Sequence, residues 1–400
     1  MKSKKYPKSW YNLPAGRQVS LVFSTILLQL IVFFLPTQLG LHFWPDFARA
    51  AGIKVDYLSP TLYFTDILLI VYIFLNLKEI TKWSKEHLSP LIIFLAFILL
   101  NSVFGISPAN SIIWWLRLLI YLLFFLTLRL RKVTWSQIKT SLLISTILMI
   151  LLQALETAGQ SSVGGLFYWL GERTFSTSIP GLAHLSFFGY DFVRAPATFS
   201  HPNSLAGFLL VVYYLFHIKK SPLWQRLVVF LGLILTFSKA ALLAFVLVIS
   251  FHLGSLALIG CFLLISVFQI FLPNLPGLFP FVSDRLFLLS PVKDIFSSSP
   301  LLGVGLGGFI PSLVGHLPGS FLLPAKIQPV HNLPLLIFLE TGLTGLTLLI
   351  VLVRKNLKKI VKPELLALLA IVIITGAFDH YWWTLPQNKL ILLLAVAILL

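Results

Sequence analysis

The chain is poor in charge, and poorest in acid. Its 400 residues include 13 Asp or Glu against 30 Lys or Arg. Charged side chains make up 11% of the sequence, whereas a soluble domain carries about 25%. The lone Cys261 lies in an apolar run, which excludes an intramolecular disulfide and a cysteine metal site. No HxxxH or HExxH pair occurs, and no DxD-type carboxylate pair stands at the edge of an apolar run. Hard divalent cations need oxygen ligands, so a metal-dependent transferase is disfavoured. No metal ligand and no cofactor is expected. No Walker or Rossmann glycine pattern follows a strand-like run, and no internal repeat is present.

What the chain has in abundance is apolar surface. Hydrophobic residues make up 58% and the mean hydropathy is +0.94. Many stretches approach or exceed the ~18 residues that mark a spanning helix. The expected fold is therefore all-α: a polytopic transmembrane bundle of about 11–12 helices forming one membrane domain over residues 1–400. A net charge of +17 can signal nucleic acid, but here the cations are scattered in short clusters between apolar runs. Under the positive-inside rule they read as topology signals, and no nucleic-acid partner is expected.

Spans are expected at about 20–35, 59–75, 91–103, 112–128, 141–155 and 205–215. The first, preceded by Lys2, Lys4, Lys5 and Lys8, resembles a signal peptide. Its small-residue triplet Ala48-Arg49-Ala50 lies too far downstream for cleavage, so the run reads as a retained helix. The stretch 227–251 is apolar except for Ser238-Lys239. Read as one helix, it would put Arg354, Lys355, Lys358, Lys359 and Lys362 outside, so two short segments meeting on the outer side at Ser238-Lys239 are expected. Further spans are expected at about 253–271, after His331, at 364–378 and at 390–400, the last short or truncated. The large outside loops are then about 156–203 and 273–330. Trp114 and Trp115 fit an outer aromatic belt, and Arg117 reads as snorkelling toward headgroups.

On this topology the outside face collects Arg173, Arg194, Lys239, Arg285, Lys293, Lys326, His184, His201, His316, His331 and His380. Cations are normally scarce there. Arginine grips phosphate bidentately and histidine moves protons near neutral pH. Together they suit a site that holds a lipid pyrophosphate and deprotonates a hydroxyl. His331 and Asn332 stand at the mouth of an apolar helix that carries Glu340, and ionisable groups at that depth call for a function. Glu340 either partners His331 or hydrogen-bonds within the bundle. GVGLGG (Gly303 to Gly308) reads as a turn.

Four blocks in order carry a resemblance. They are Arg194-Ala-Pro-Ala-Thr-Phe-Ser-His201-Pro-Asn203, then Thr236-Phe-Ser-Lys239, then Arg285 with Pro300-Leu-Leu-Gly-Val-Gly305, then His331-Asn332 with Glu340-Thr-Gly342. Together they resemble the O-antigen ligase and polymerase family, the ligase/polymerase branch of C-type membrane glycosyltransferases. The resemblance implies a metal-independent, inverting transfer of a glycan from undecaprenyl pyrophosphate to a hydroxyl of a glycan or glycolipid acceptor. It places the reaction at the outer face of a bacterial inner membrane. It implies His331 as catalytic base and Arg285 and Arg194 as pyrophosphate ligands. Asn332, His201, Asn203, Asp379, His380, Glu340 and Lys239 are supporting candidates. Lys239 stands where the family usually has arginine and Ala197 where glycine is common.

Two rivals remain from sequence. One is a C-type transferase that uses a carboxylate of the first outside loop, Asp46 or Asp56. The other is a lipid-linked oligosaccharide flippase or exporter, which should gather its cations in a midplane cavity rather than in loops.

Overall fold

The computed structural model describes residues 15–177, 179, 182–187, 190–250, 287–316 and 327–400. Arg285, Lys326 and the span expected at 253–271 lie outside the described residues. The described chain is mostly helical. Its main helices are α1 (Ala15–Phe34), α2 (Phe64–Leu75), α3 (Leu77–Glu86), α4 (Leu88–Val103), α5 (Pro108–Leu130) and α6 (Trp135–Gly159). They continue with α7 (Pro202–Ile218), α8 (Leu223–Leu235), α9 (Lys239–Phe245), α10 (Leu333–Lys355), α11 (Pro363–Gly376) and α12 (Pro386–Leu399). Proline opens α5, α7, α11 and α12, where its missing N–H leaves no intrahelical bond unmade.

Among the described residues, α5, α6 and α10 are long and apolar enough to cross a membrane, and α3 with α4 adds a fourth span if that bent pair counts as one. Their flanks show large apolar side chains to the outside, among them Ile92, Leu99, Leu116, Leu151, Leu349 and Leu352. A contiguous belt of this kind suits lipid rather than water. At the centre stands α7, buried on nearly every face from Ser204 to Phe216. It packs against α8, α9, α11 and α12.

Several boundaries differ from the sequence reading. The helix expected from residue 59 begins at Phe64, because Thr61–Tyr63 (β4) pairs antiparallel with Gly40–His42 (β1). A second ribbon joins Arg49–Ala50 (β2) to Ile53–Lys54 (β3), and a third joins His184–Phe187 (β5) to Tyr190–Val193 (β6). The loops therefore hold strands that no apolar pattern announced. The basic stretch after α2 is the amphipathic helix α3 rather than a loop, and it meets α4 at 97°. The loop expected from 156 begins after Gly159, so Glu156 sits on α6.

Two readings of single side chains are corrected. Arg117 does not snorkel. It is buried beside Asp66, with Nε 3.9 Å from Oδ2, and Nη2 donates to the Thr61 carbonyl. Tyr121 also donates to Asp66, at 3.1 Å. An arginine that meets a carboxylate inside the bundle avoids the desolvation cost that snorkelling would otherwise relieve. Trp115 is no belt residue either: its indole N–H is buried and donates to Asn101 Oδ1 at 2.7 Å.

The bundle has two chemically distinct ends. Arg129 at the end of α5, Lys219 at the end of α7 and Lys362 at the start of α11 all donate to the last carbonyls of α12, those of Ala397, Ile398 and Leu400. Cations at a helix C-terminus satisfy orphan carbonyls and complement the dipole. At the other end of α12, Gln387 donates to the carbonyls of Pro36 and Thr198. The ends of α1 and α6 and the starts of α7 and α10 gather there. The chain between α8 and α9 breaks at Thr236–Ser238, as the two-segment reading expected, and the break faces this second end.

Candidate functional site

Four chain segments converge at the end of the bundle opposite the basic clusters. His331 immediately precedes α10. Asn332 caps that helix by accepting the Leu335 N–H on Oδ1 at 3.0 Å. This fixes where the chain turns into the helix and so where His331 stands, half-buried. Asp379 and His380 come from the turn after α11, and both are buried. The imidazoles of His331 and His380 meet edge to face with centroids 5.1 Å apart.

Arg194 arrives from the end of β6. Its Nε donates to the Thr236 carbonyl at 2.9 Å and its Nη2 to Asn203 Oδ1 at 2.8 Å. Asn203 in turn donates through Nδ2 to Asp379 Oδ2 at 3.1 Å. His201 caps α7 by accepting the Asn203 N–H on Nδ1 at 3.1 Å. One asparagine therefore couples the arginine to the carboxylate, and it is held in place by the histidine two residues before it. The sequence blocks around Arg194, Thr236 and His331 do meet in space.

The electrostatics follow from burial and neighbours. Burial alone would raise the Asp379 carboxyl, but the imidazoles of His380, His331 and His201 and the Asn203 hydrogen bond bring it down to about 2. Asp379 is thus an anion throughout the neutral range. Burial lowers His380 against the pull of Asp379. Its Nδ1 lies 2.9 Å from Thr384 Oγ1.

A small cavity of about 20 Å³, room for one water, adjoins His380 and is lined by Tyr57, Trp114, Glu340, Trp383 and Thr384 among others. Tyr57 also meets the His380 ring edge-on, 5.5 Å between centroids. Glu340 hydrogen-bonds within the bundle: Oε2 accepts the Trp383 indole N–H at 2.7 Å, and the carboxylate takes the backbone N–H groups of Gly307 and Phe309. The GVGLGG turn thus wraps a glutamate. It is pinned to α4 and α5 by Asn101, which accepts the Leu306 N–H, and by Asn110, which donates to the Gly307 carbonyl.

Other candidates stay apart. Lys239 is exposed at the start of α9. Arg173 pairs with Asp56 at 3.3 Å, and His184 Nδ1 lies 2.8 Å from Asp191. Asp46 is exposed. Neither carboxylate of the rival reading therefore lies in the His331 cluster, and Asp379 is the one that does. Tyr57, Trp383 and Thr384 were missed from sequence. Trp383 and Thr384 stand in DHYWWTLPQN, a few residues behind Asp379 and His380.

Fold and site together define a helical bundle with spanning-length helices and a histidine–carboxylate–arginine centre at one end. No protein-family model, curated protein or solved structure matches the chain.

Proposed function

We propose that this chain is a membrane glycosyltransferase that moves a glycan from a polyprenyl-pyrophosphate carrier to an acceptor hydroxyl, in the manner of O-antigen ligases and polymerases. The observation that carries the reading is the convergence of His331, the anionic Asp379 and Arg194 at the bundle end remote from the basic clusters. By the positive-inside rule that end faces away from the cytoplasm.

The acceptor oxygen attacks the anomeric carbon and its proton passes to His331. The bond from that carbon to the pyrophosphate oxygen breaks, leaving the polyprenyl pyrophosphate with the electron pair. Asp379 stabilises the imidazolium that forms, as a fixed anion beside a base does. Arginine carries five N–H donors, two of which bind Thr236 and Asn203. Among the described residues the other three meet no further acceptor, and they would take phosphate oxygens as leaving charge develops. Arg285 is the second phosphate candidate and rests on the sequence blocks alone. A flippase fits this layout less well, since the site sits at helix ends and not at mid-depth.

The test is a reconstituted assay with lipid-linked glycan and acceptor that measures product and donor retention together. His331→Ala should lower transfer by about 10²–10⁴-fold, the usual worth of a general base, with donor still bound. Near-normal transfer would remove the base assignment.

A further inference from the structure

His331, Asp379 and His380 also form a ligand set. Each offers one ligand atom, and the three atoms lie within 4.8 Å of one another. Zinc bonds of about 2.0–2.2 Å place tetrahedral ligands roughly 3.4 Å apart. Binding an ion would draw the three atoms closer, by movement of the His331 side chain, which is half-buried.

Two supports surround the set. His380 Nδ1 lies 2.9 Å from Thr384 Oγ1, and that hydroxyl also reaches the His380 carbonyl at 3.3 Å. A hydroxyl donating to the carbonyl accepts the ring Nδ1–H, which leaves the Nε2 lone pair for an ion. Asp379 is held on both oxygens, by the His380 N–H at 2.8 Å and by Asn203. Ligands oriented this way by hydrogen bonds are the usual second layer of a metal site. Two imidazoles and one carboxylate suit zinc, cobalt or iron, whereas magnesium and calcium need more oxygens.

We propose that His331, Asp379 and His380 bind one divalent transition ion of the zinc class, with a fourth position open to water, and that the bound ion silences transfer by occupying the lone pair His331 needs as a base. No bond is made or broken beyond donation of three lone pairs to the ion. The inhibition rests on the function proposed above, and the binding does not.

The probe is Co²⁺ added to the purified full chain in detergent, followed by Zn²⁺. One equivalent of cobalt should give the visible d–d absorption of a four- or five-coordinate ion, bleached by zinc and not by magnesium. Asp379→Asn and His380→Ala should each weaken binding by roughly 100-fold, the upper end of what even a supporting residue costs. His331→Cys should retain it, since thiolate is also a zinc ligand. A second readout needs only the unaltered protein: diethyl pyrocarbonate labelling of His331, followed by mass spectrometry, should slow with Zn²⁺ and recover with chelator. No cobalt band in the unaltered protein, or a band that survives the Asp379→Asn/His380→Ala double change, overturns the site. Zinc bound there with transfer at full rate overturns the inhibition. Cobalt binding by a protein that transfers no glycan even after the ion is removed by chelator leaves the ion site standing and removes the enzyme reading instead.

Discussion

His331 and His380 touch edge to face, 5.1 Å between ring centroids, although they open one helix and follow another far along the chain. Burial lowers His380 against the pull of Asp379, and a proton arriving on His331 meets the Asp379 carboxylate. The charge of Asp379 is what makes that proton welcome. Two unit charges no more than 4.8 Å apart attract by at least about 3 kcal/mol at an effective dielectric near 20.

Asp379→Asn keeps the side chain's shape and an acceptor for the His380 N–H while removing that charge. Transfer should fall on the order of 10²-fold, the rate equivalent of roughly 3 kcal/mol. Donor retention should be unchanged, because Arg194 keeps its bond to Thr236. Separate measurements of turnover and bound donor check this. A loss of donor binding alone would make Asp379 a positioning residue for Arg194.

Arg194→Lys keeps the charge and loses both the Nε bond to Thr236 and the fork toward Asn203. A hydrogen bond to a charged group is worth about 1.5–3 kcal/mol, so losing one such bond to the pyrophosphate should lower donor affinity by roughly 10–10²-fold. The lost bonds to Thr236 and Asn203 should also lower the thermal midpoint in detergent, so donor affinity is measured on the folded, membrane-inserted fraction. Full donor affinity in the lysine variant would take Arg194 out of the phosphate site.

How much of this was legible in the sequence follows from what sequence carries. Apolar length marked α5, α6, α7, α10 and α11, because a spanning helix must be written locally in side chains. The break at Thr236–Ser238 was legible from charge parity alone. The ribbon of β1 with β4 was not, since three-residue strands in a loop leave no period to read. Arg117 was misread because its partner, Asp66, lies a helix away and pairing is not local. Of the four blocks quoted from sequence, those around Arg194, Thr236 and His331 meet in the cluster. The joint made by Asn203 between Arg194 and Asp379 required three distant segments to be placed at once.

Ala197 holds a backbone conformation that glycine adopts more readily. Ala197 is buried with φ of +52°, the left-handed region, and its N–H donates to Glu156 at 2.8 Å. A non-glycine residue there costs on the order of 1–2 kcal/mol. Glycine relieves that strain but frees the unfolded chain by about 0.4–1 kcal/mol. Ala197→Gly should therefore raise stability by up to roughly 1 kcal/mol with transfer retained. Ala197→Val should lower it, because branching at Cβ makes that conformation worse. Thermal unfolding in detergent orders the three proteins.

Gly342 interrupts α10 at φ of +64°, beside Glu340. A Cβ there would meet the Leu301 carbonyl and the Gly303 N–H, while one at Gly303 would come within 2.5 Å of the Glu340 carbonyl carbon. The GVGLGG turn can embrace Glu340 only where both backbones are bare. Gly342→Ala should destabilise by about 1–3 kcal/mol and reduce activity through the displaced Glu340–Trp383 bond. Stability equal to that of the unaltered chain would show that the turn has room to shift.

The remaining prediction concerns which way the bundle faces. Arg129, Lys219 and Lys362 meet on the C-terminal carbonyls of α12, while His331, Asp379 and Arg194 lie at the opposite end. The positive-inside rule puts the cations in the cytoplasm, and the donor chemistry needs the site on the other side. Cysteines introduced at Lys358 and Lys219, in a Cys261→Ala background, should resist a membrane-impermeant thiol reagent added to intact cells. A cysteine at Thr177, exposed in the loop on the site side, should react. Permeabilised cells should label the first two, which guards against mistaking burial for sidedness. If Lys358 labels from outside, the stretch from 227 onward makes one more crossing than the break at Thr236–Ser238 allows. The site would then face the cytoplasm, and a carrier delivered to the outer leaflet could not reach His331.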